Sequence, residues 1–167
     1  MKRILCLICC ILLLPIFSAC GNRKNELQEP ANFYYLNSNI AYNTSSGVIS
    51  AEQREAILFH DDLVLFLKSY LKGPTSLNLE AVIPSTVTLE SCAYEDGIVY
   101  IAFSEDFSKL SGTRLTIACS ALLMSLNEYM GASGVNVCAN GELIDGKEEF
   151  QIFMDDLVLI DPIHTEE

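Results

Sequence analysis

Residues 86–141 read TVTLESCAYEDGIVYIAFSEDFSKLSGTRLTIACSALLMSLNEYMGASGVNVCANG, and their patterning decides the fold. Over 86–94 the chain alternates, with Val87, Leu89, Ser91 and Ala93 on one side and Thr88, Glu90, Cys92 and Tyr94 on the other. A two-residue period marks a strand with one buried face. Asp96-Gly97 follows, the strongest short hairpin signal, because Gly tolerates the positive φ of a tight turn. Residues 98–103, rich in β-branched and aromatic side chains, form the return strand. The period then lengthens. Leu115, Ala118, Cys119, Leu122, Leu126 and Tyr129 recur at three- and four-residue steps, one face of a helix. Gly131 stops that helix, and residues 135–139 predict a further strand ending at Asn140-Gly141.

Upstream, Phe33-Tyr34-Tyr35-Leu36 predicts the first strand, and the Asn-, Ser- and Thr-dense 37–47 a loop. Ser50 with Gln53 three residues later has the form of a capping box. It predicts a helix over 51–72 that buries Ala56, Phe59, Leu63, Phe66, Leu67 and Tyr70 and ends at Gly73-Pro74. Downstream, 150–160 predicts either a strand pair around Asp155-Asp156 or one strand after a turn at Asp145-Gly146. The expected class is α+β: a two-layer sandwich in which a small mixed or antiparallel sheet carries two helices on one face. A single domain over 33–160, followed by a tail over 161–167, is long enough to bury one core.

The N-terminus is of another kind. Met1-Lys2-Arg3 precedes an apolar run over 4–17 interrupted by Pro15, and Ser18-Ala19-Cys20 follows. A basic start, a short apolar stretch and small residues describe a secretory signal peptide, here over 1–19. A membrane-spanning helix needs roughly 20 apolar residues, more than this run supplies. Phe17-Ser18-Ala19-Cys20 resembles a bacterial lipobox, with Phe17 where Leu is usual. That resemblance implies lipidation of Cys20, a flexible tether over 20–32, and an extracytoplasmic domain held at the cell membrane. The chain carries 10 basic and 22 acidic residues, net −12; without Lys2 and Arg3 it is 8 against 22, net −14. Such a charge repels phosphate backbones, so no nucleic acid is expected as partner.

Little in the sequence points to catalysis. With the leader and Cys20 set aside, Cys92, Cys119 and Cys138 remain, at spacings that match no compact metal motif. Cys119 falls on the buried helix face, while Cys92 and Cys138 fall on the outer sheet face, where a disulfide or two free thiols both stay open. His60-Asp61-Asp62 sits on consecutive helical positions, which point in different directions and read as a solvated face. Glu105-Asp106 follows a strand but reads as loop, and His164 lies in the tail. Gly131-Ala132-Ser133-Gly134 follows a helix instead of opening one, so it is no phosphate cradle. Tyr34, Tyr35 and Tyr42 cluster without basic neighbours, as core or interface residues do. No cofactor, no metal and no enzymatic activity are expected.

Several markers occur in order along the chain: Gly73-Pro74 after an apolar helix, Ile83-Pro84, Asp96-Gly97, Phe103-Ser104, Phe107, Ser125-Leu126, and Val135-x-Val137 with Gly141. Together they resemble the GerMN domain of sporulation and spore-germination lipoproteins over about 33–145. Ala102, Ser125 and Asn140 depart from the family's usual residues. The resemblance implies a fold similar to the ring-building motifs of secretion machines, and a non-enzymatic role in protein assembly at the cell envelope, through an envelope protein partner or self-association. Alternation places Thr88, Glu90, Cys92, Tyr94, Asn136 and Cys138 on the uncovered sheet face, the candidate interaction face. The alternative is a small-ligand-binding lipoprotein that presents a solute to a membrane partner; a deep apolar pocket with convergent polar groups distinguishes it.

Overall fold

Asp96 and Gly97 both take positive φ, 50° and 84°, the backbone that a two-residue type I′ hairpin turn demands. Around this turn, a computed structural model describes residues 30–38, 47–55, 62–140, 144 and 146–157. The leader, Cys20, Tyr42, Ala56, Phe59, His60, Asp61, Gly141 and His164 lie outside the described residues. The elements in order are β1 (Ala31–Asn37), β2 (Ile49–Arg54), α1 (Leu63–Leu71), β3 (Leu79–Glu80), β4 (Leu89–Glu95), β5 (Ile98–Phe103), α2 (Gly112–Met130), β6 (Gly134–Ala139) and β7 (Phe150–Phe153). Short 3-10 turns cover Glu105–Lys109 and Met154–Asp156.

The α+β class is as the patterning predicts, but the strands divide into two sheets instead of one. The larger has the order β4-β5-β6-β7. Its hairpin β4–β5 is antiparallel, α2 crosses over to set β6 parallel to β5, and β7 returns antiparallel to β6. The core lies between this sheet and α2. Leu115, Ala118, Cys119, Leu122, Leu123 and Leu126 are fully buried in one cluster with Val99, Ile101, Phe103, Val135, Val137 and Ala139. Each large side chain taken out of water contributes about 1.5–3 kcal/mol. The helix ends where Gly131 adopts the left-handed conformation (φ 73°) and its N–H reaches Asn127 O.

The smaller sheet has the order β2-β1-β3. It does not join the larger one because α2 occupies the edge of β1 that a further strand would need. The Tyr34 N–H donates to Ser125 Oγ, the Tyr34 hydroxyl donates to Glu128 Oε2 at 2.8 Å, and the Asn32 amide donates to Glu128 Oε1. β1 begins at Ala31, two residues ahead of the expected domain start.

The expected helix over 51–72 is corrected: residues 49–54 are a strand and the helix begins at Leu63. Ala, Glu, Gln and Arg favour helix locally, but six cross-strand pairs with β1 outweigh that weak preference. Ser50 is therefore a strand residue opposite Tyr35, and the helix cap is Asp62, whose Oδ1 accepts from Leu65 N–H at 2.9 Å. Asp62 caps the helix instead of belonging to a solvated helical face. The buried stripe survives in part, as Phe66, Leu67 and Tyr70. Phe33 stacks on Phe66 at 4.6 Å, Tyr35 on Tyr70 at 5.0 Å, and Phe66 on Tyr129 of α2 at 4.1 Å.

Two polar residues of β2 lock this layer. Arg54 lies 4.6 Å over the Phe33 ring, and its guanidinium donates to Ser69 O at 3.1 Å and Gly73 O at 2.7 Å, closing the end of α1. Glu52 accepts from Arg54 Nε and from the N–H groups of Thr75 and Ser76. Burial alone pushes the Glu52 carboxyl upward, but the donors of Ser76, Arg54 and Thr75 outweigh it and hold it below the usual carboxylate value.

At the C-terminal end, β7 follows Gly146 (φ 78°), as the second of the two sequence readings has it. Asp155-Asp156 stands in the 3-10 turn that leaves this strand, and residues 158–160, where a second strand of the other reading would fall, lie outside the described residues.

Candidate interaction face

The face of the larger sheet away from α2 is built in three rows by the strand register. Glu95, Ile98, Gly134 and Phe153 form the first; Ala93, Tyr100, Asn136 and Gln151 the second; Ser91, Ala102 and Cys138 the third. Tyr100 and Phe153, 40% and 39% exposed, are the two large rings that this face presents. Around them the side chains are small: Ser91, Ala93 and Ala102. Phe153 lies directly on Gly134, where an added Cβ would meet the ring at 2.7 Å. Asn136 is buried on this face and donates to Glu149 Oε2 at 2.9 Å.

Two of the six residues expected on this face, Cys92 and Tyr94, are misplaced, and the cause is a β-bulge. Leu89 pairs with Phe103 but Ser91 pairs with Ala102, so Glu90 is an extra residue on β4. One inserted residue sends every later side chain to the opposite face. Cys92 and Tyr94 therefore pair with Ile101 and Val99 on the core side, at the border of the sheet, and Ser91, Ala93 and Glu95 replace them outside. Asn136 and Cys138 are on the outer face as expected. Glu90 is exposed at the bulge. Thr88 precedes the strand, where its N–H donates to Ser104 Oγ and its hydroxyl to Glu90 Oε1. Tyr100 and Phe153 were not singled out by the sequence, although Tyr100 alternates with the buried Val99 and Ile101 and was legible by that signal.

The register also settles the thiols. Cys92 and Cys138 are on strands separated by β5 and on opposite faces, so no disulfide joins them; Cys92, Cys119 and Cys138 are free. Burial pushes the Cys119 thiol up to about 12. Burial, and then the charge of Asp62, raises that of Cys92.

The other candidate groups have structural partners. Asp106 is held below the usual carboxylate range by the Lys109 ammonium that donates to it, with a further hydrogen bond from Thr86. Ser133 uses both its N–H (2.8 Å) and its hydroxyl (3.0 Å) to clasp Gly97 O, so the Gly131–Gly134 stretch fastens the hairpin turn to the end of α2. The Tyr35 hydroxyl donates to Tyr70 O and that of Tyr70 to Tyr34 O. Among the described residues no three His, Cys, Asp or Glu side chains are grouped to hold a metal ion. A polar hollow lined by Ser50, Glu52, Ser76 and Asn78 lies beside β2, with the Glu52 carboxylate already engaged by protein donors. No described helix is long and apolar enough to cross a membrane.

Comparison with solved structures finds the same fold in the tandem GerMN domains of the sporulation protein GerM from Bacillus subtilis. That likeness has a TM-score of 0.53 at 20% identity, over 78% of this chain and 47% of that one. This chain thus spans about half of the tandem structure. A protein from Clostridium perfringens, described as a candidate lipoprotein, aligns over 79% of this chain and 93% of its own at 14% identity, with a TM-score of 0.48. No curated protein matches. The family model "Germane: Sporulation and spore germination" matches residues 32–145, well over half of the sequence. The chain with this bulged hairpin, crossover helix and two-sheet core therefore belongs to the Germane family of sporulation and spore germination, whose domain is the GerMN fold.

Proposed function

We propose that this chain is a non-enzymatic interaction module of sporulation or germination, lipid-anchored through Cys20 on the outer side of the cell membrane. In this reading it recruits an envelope protein to the outer face of its larger sheet. The observation that carries the reading is the pair of exposed rings, Tyr100 and Phe153, on a sheet face whose other side is filled by α2. Small neighbours leave both rings accessible to a flat partner surface, and aromatic side chains of this kind dominate the energetics of protein contacts. Two acyl chains at Cys20 hold a protein stably at a bilayer where one does not, and anchoring raises the effective concentration near a membrane partner.

The test is a set of chromosomal variants in the organism that carries this chain. Tyr100→Ala and Ala93→Glu are expected to lose partner cross-linking and to lower spore yield or germination, with unchanged thermal midpoints. Glu105→Gln is expected to behave as wild type. Loss of function in Glu105→Gln, with the outer-face variants active, replaces assembly with catalysis. Cys20→Ala is expected to abolish palmitate labelling; an unlipidated wild-type Cys20 by intact mass removes the anchor from the reading.

A further inference from the structure

Among the described residues the larger sheet ends at β4, which has α1 packed against it, and its hairpin geometry states which main-chain groups are left over. In a hairpin with a two-residue turn, the flanking pair is hydrogen-bonded across the strands; here that pair is Glu95 and Ile98. The next pair, Tyr94 and Val99, is of the non-bonded kind, so Tyr94 turns its N–H and C=O away from β5. Two residues back, Cys92 does the same. A row of outward donors and acceptors is a template for a further strand. The opposite edge is less suited: β7 has four residues, and the Phe153 N–H is already given to Asp156 Oδ2 at 3.0 Å.

The surroundings of β4 select what pairs with it. Glu90, Glu95 and Asp96 are exposed along the strand and its turn, and Asp62 is near enough to act on Cys92. A second copy of this chain, net −12, would bring the same carboxylates face to face. Tyr94, 43% exposed on the border of the sheet, offers a ring to a cationic side chain. The bulge at Glu90 limits the regular edge to Ser91 through Glu95, a short segment's length.

We propose that the outward edge of β4 accepts a short, extended, lysine- or arginine-rich segment of a partner protein as a fifth strand. The inference rests on the interaction reading above and names the partner's chemistry. Main-chain hydrogen bonds supply the attachment, and the carboxylates supply the selection against acidic strands and self-pairing.

The test uses the full-length protein in detergent and a fluorescein-labelled peptide of alternating Lys and Val. Two control peptides replace Lys with Glu or interrupt the same composition with a central Pro. The Lys peptide is expected to bind at least tenfold tighter than either control, with slowed amide exchange over 89–95. Tyr94→Pro removes an outward donor without touching the β4–β5 ladder, and is expected to weaken binding at least tenfold; Tyr94→Ala, which keeps the donor, loses less. Should Tyr94→Pro fail to fold, a Lys peptide N-methylated at alternate residues makes the same test from the partner's side, with the same tenfold loss expected. Equal binding of the Pro-interrupted peptide means charge alone and overturns the proposal, as does protection confined to 150–153 or a protein dimer protected at 89–95. If no peptide binds while Tyr100→Ala still loses its envelope partner, this inference fails and the proposed function stands.

Discussion

The main-chain N–H of Tyr34 donates to Ser125 Oγ at 2.9 Å, joining residues 91 positions apart. The same hydroxyl donates to Ala121 O at 2.8 Å, so a fully buried polar atom is used in both directions. This bond is where the smaller sheet is fastened to α2. Removing the hydroxyl leaves a part-buried strand N–H without its acceptor, at a cost of about 1–3 kcal/mol. Ser125→Ala is therefore expected to lower the unfolding free energy by that amount, read as a lower urea midpoint at an unchanged m-value, and Ser125→Thr, which keeps the oxygen, to lose less. An unchanged midpoint in Ser125→Ala means the joint contributes nothing.

The carboxylate of Glu52 gives the fold a defined response to acid. Its folded value is depressed, so its contribution is present above the unfolded value and is lost as pH falls through the folded one. Protonation weakens the hold on Arg54 and on the N–H groups of Thr75 and Ser76 together. Glu52→Gln is expected to be less stable than the parent at neutral pH and to lose the least stability between about pH 5 and 3. Denaturant titrations across that range decide it: parallel curves for the two proteins exclude Glu52 as the source.

What was legible in the sequence was whatever a local period encodes. The hairpin at Asp96-Gly97, the α2 stripe from Leu115 to Leu126, the Gly131 stop and β6 all follow from residues close together in the chain. Two features were not legible, for different reasons. The strand Ile49–Arg54 looks helical because its reason for being extended lies elsewhere, in Phe33 and Tyr35 opposite and in the carbonyls of Ser69 and Gly73 that Arg54 closes. The bulge at Glu90 leaves no mark in a two-residue alternation, since it keeps the pattern and changes only which face the pattern means. That single residue is why alternation gives the outer position of Asn136 and Cys138 but the wrong face for Cys92 and Tyr94.

The thiols provide a test of that register. With Cys92 and Cys138 on opposite faces of non-adjacent strands, the oxidised protein is expected to show no internal Cys92–Cys138 cross-link by mass spectrometry. Cys119, fully buried with its thiol pushed up to about 12, is expected to resist a thiol reagent until the protein unfolds. Recovery of a Cys92–Cys138 disulfide peptide from native protein sinks the bulged register.

The contact of Phe153 with Gly134 ties the last strand to the candidate interaction face. A methyl group at 134 would stand 2.7 Å from the ring Cδ1 and 3.0 Å from Cε1, closer than side-chain atoms approach. Gly134→Ala must therefore push the ring off the sheet or shift β7, at a cost of about 1–3 kcal/mol. The glycine φ is ordinary here, so the cost comes from the ring and not from the backbone. Phe153→Ala removes the obstacle along with its own contacts. If the ring is the cause, the double variant is expected to be more stable than the sum of the two single losses, by about 0.5–3 kcal/mol of coupling. Additive losses mean the ring does not lie on Gly134 in solution, and they remove Phe153 from the ordered surface offered to a partner.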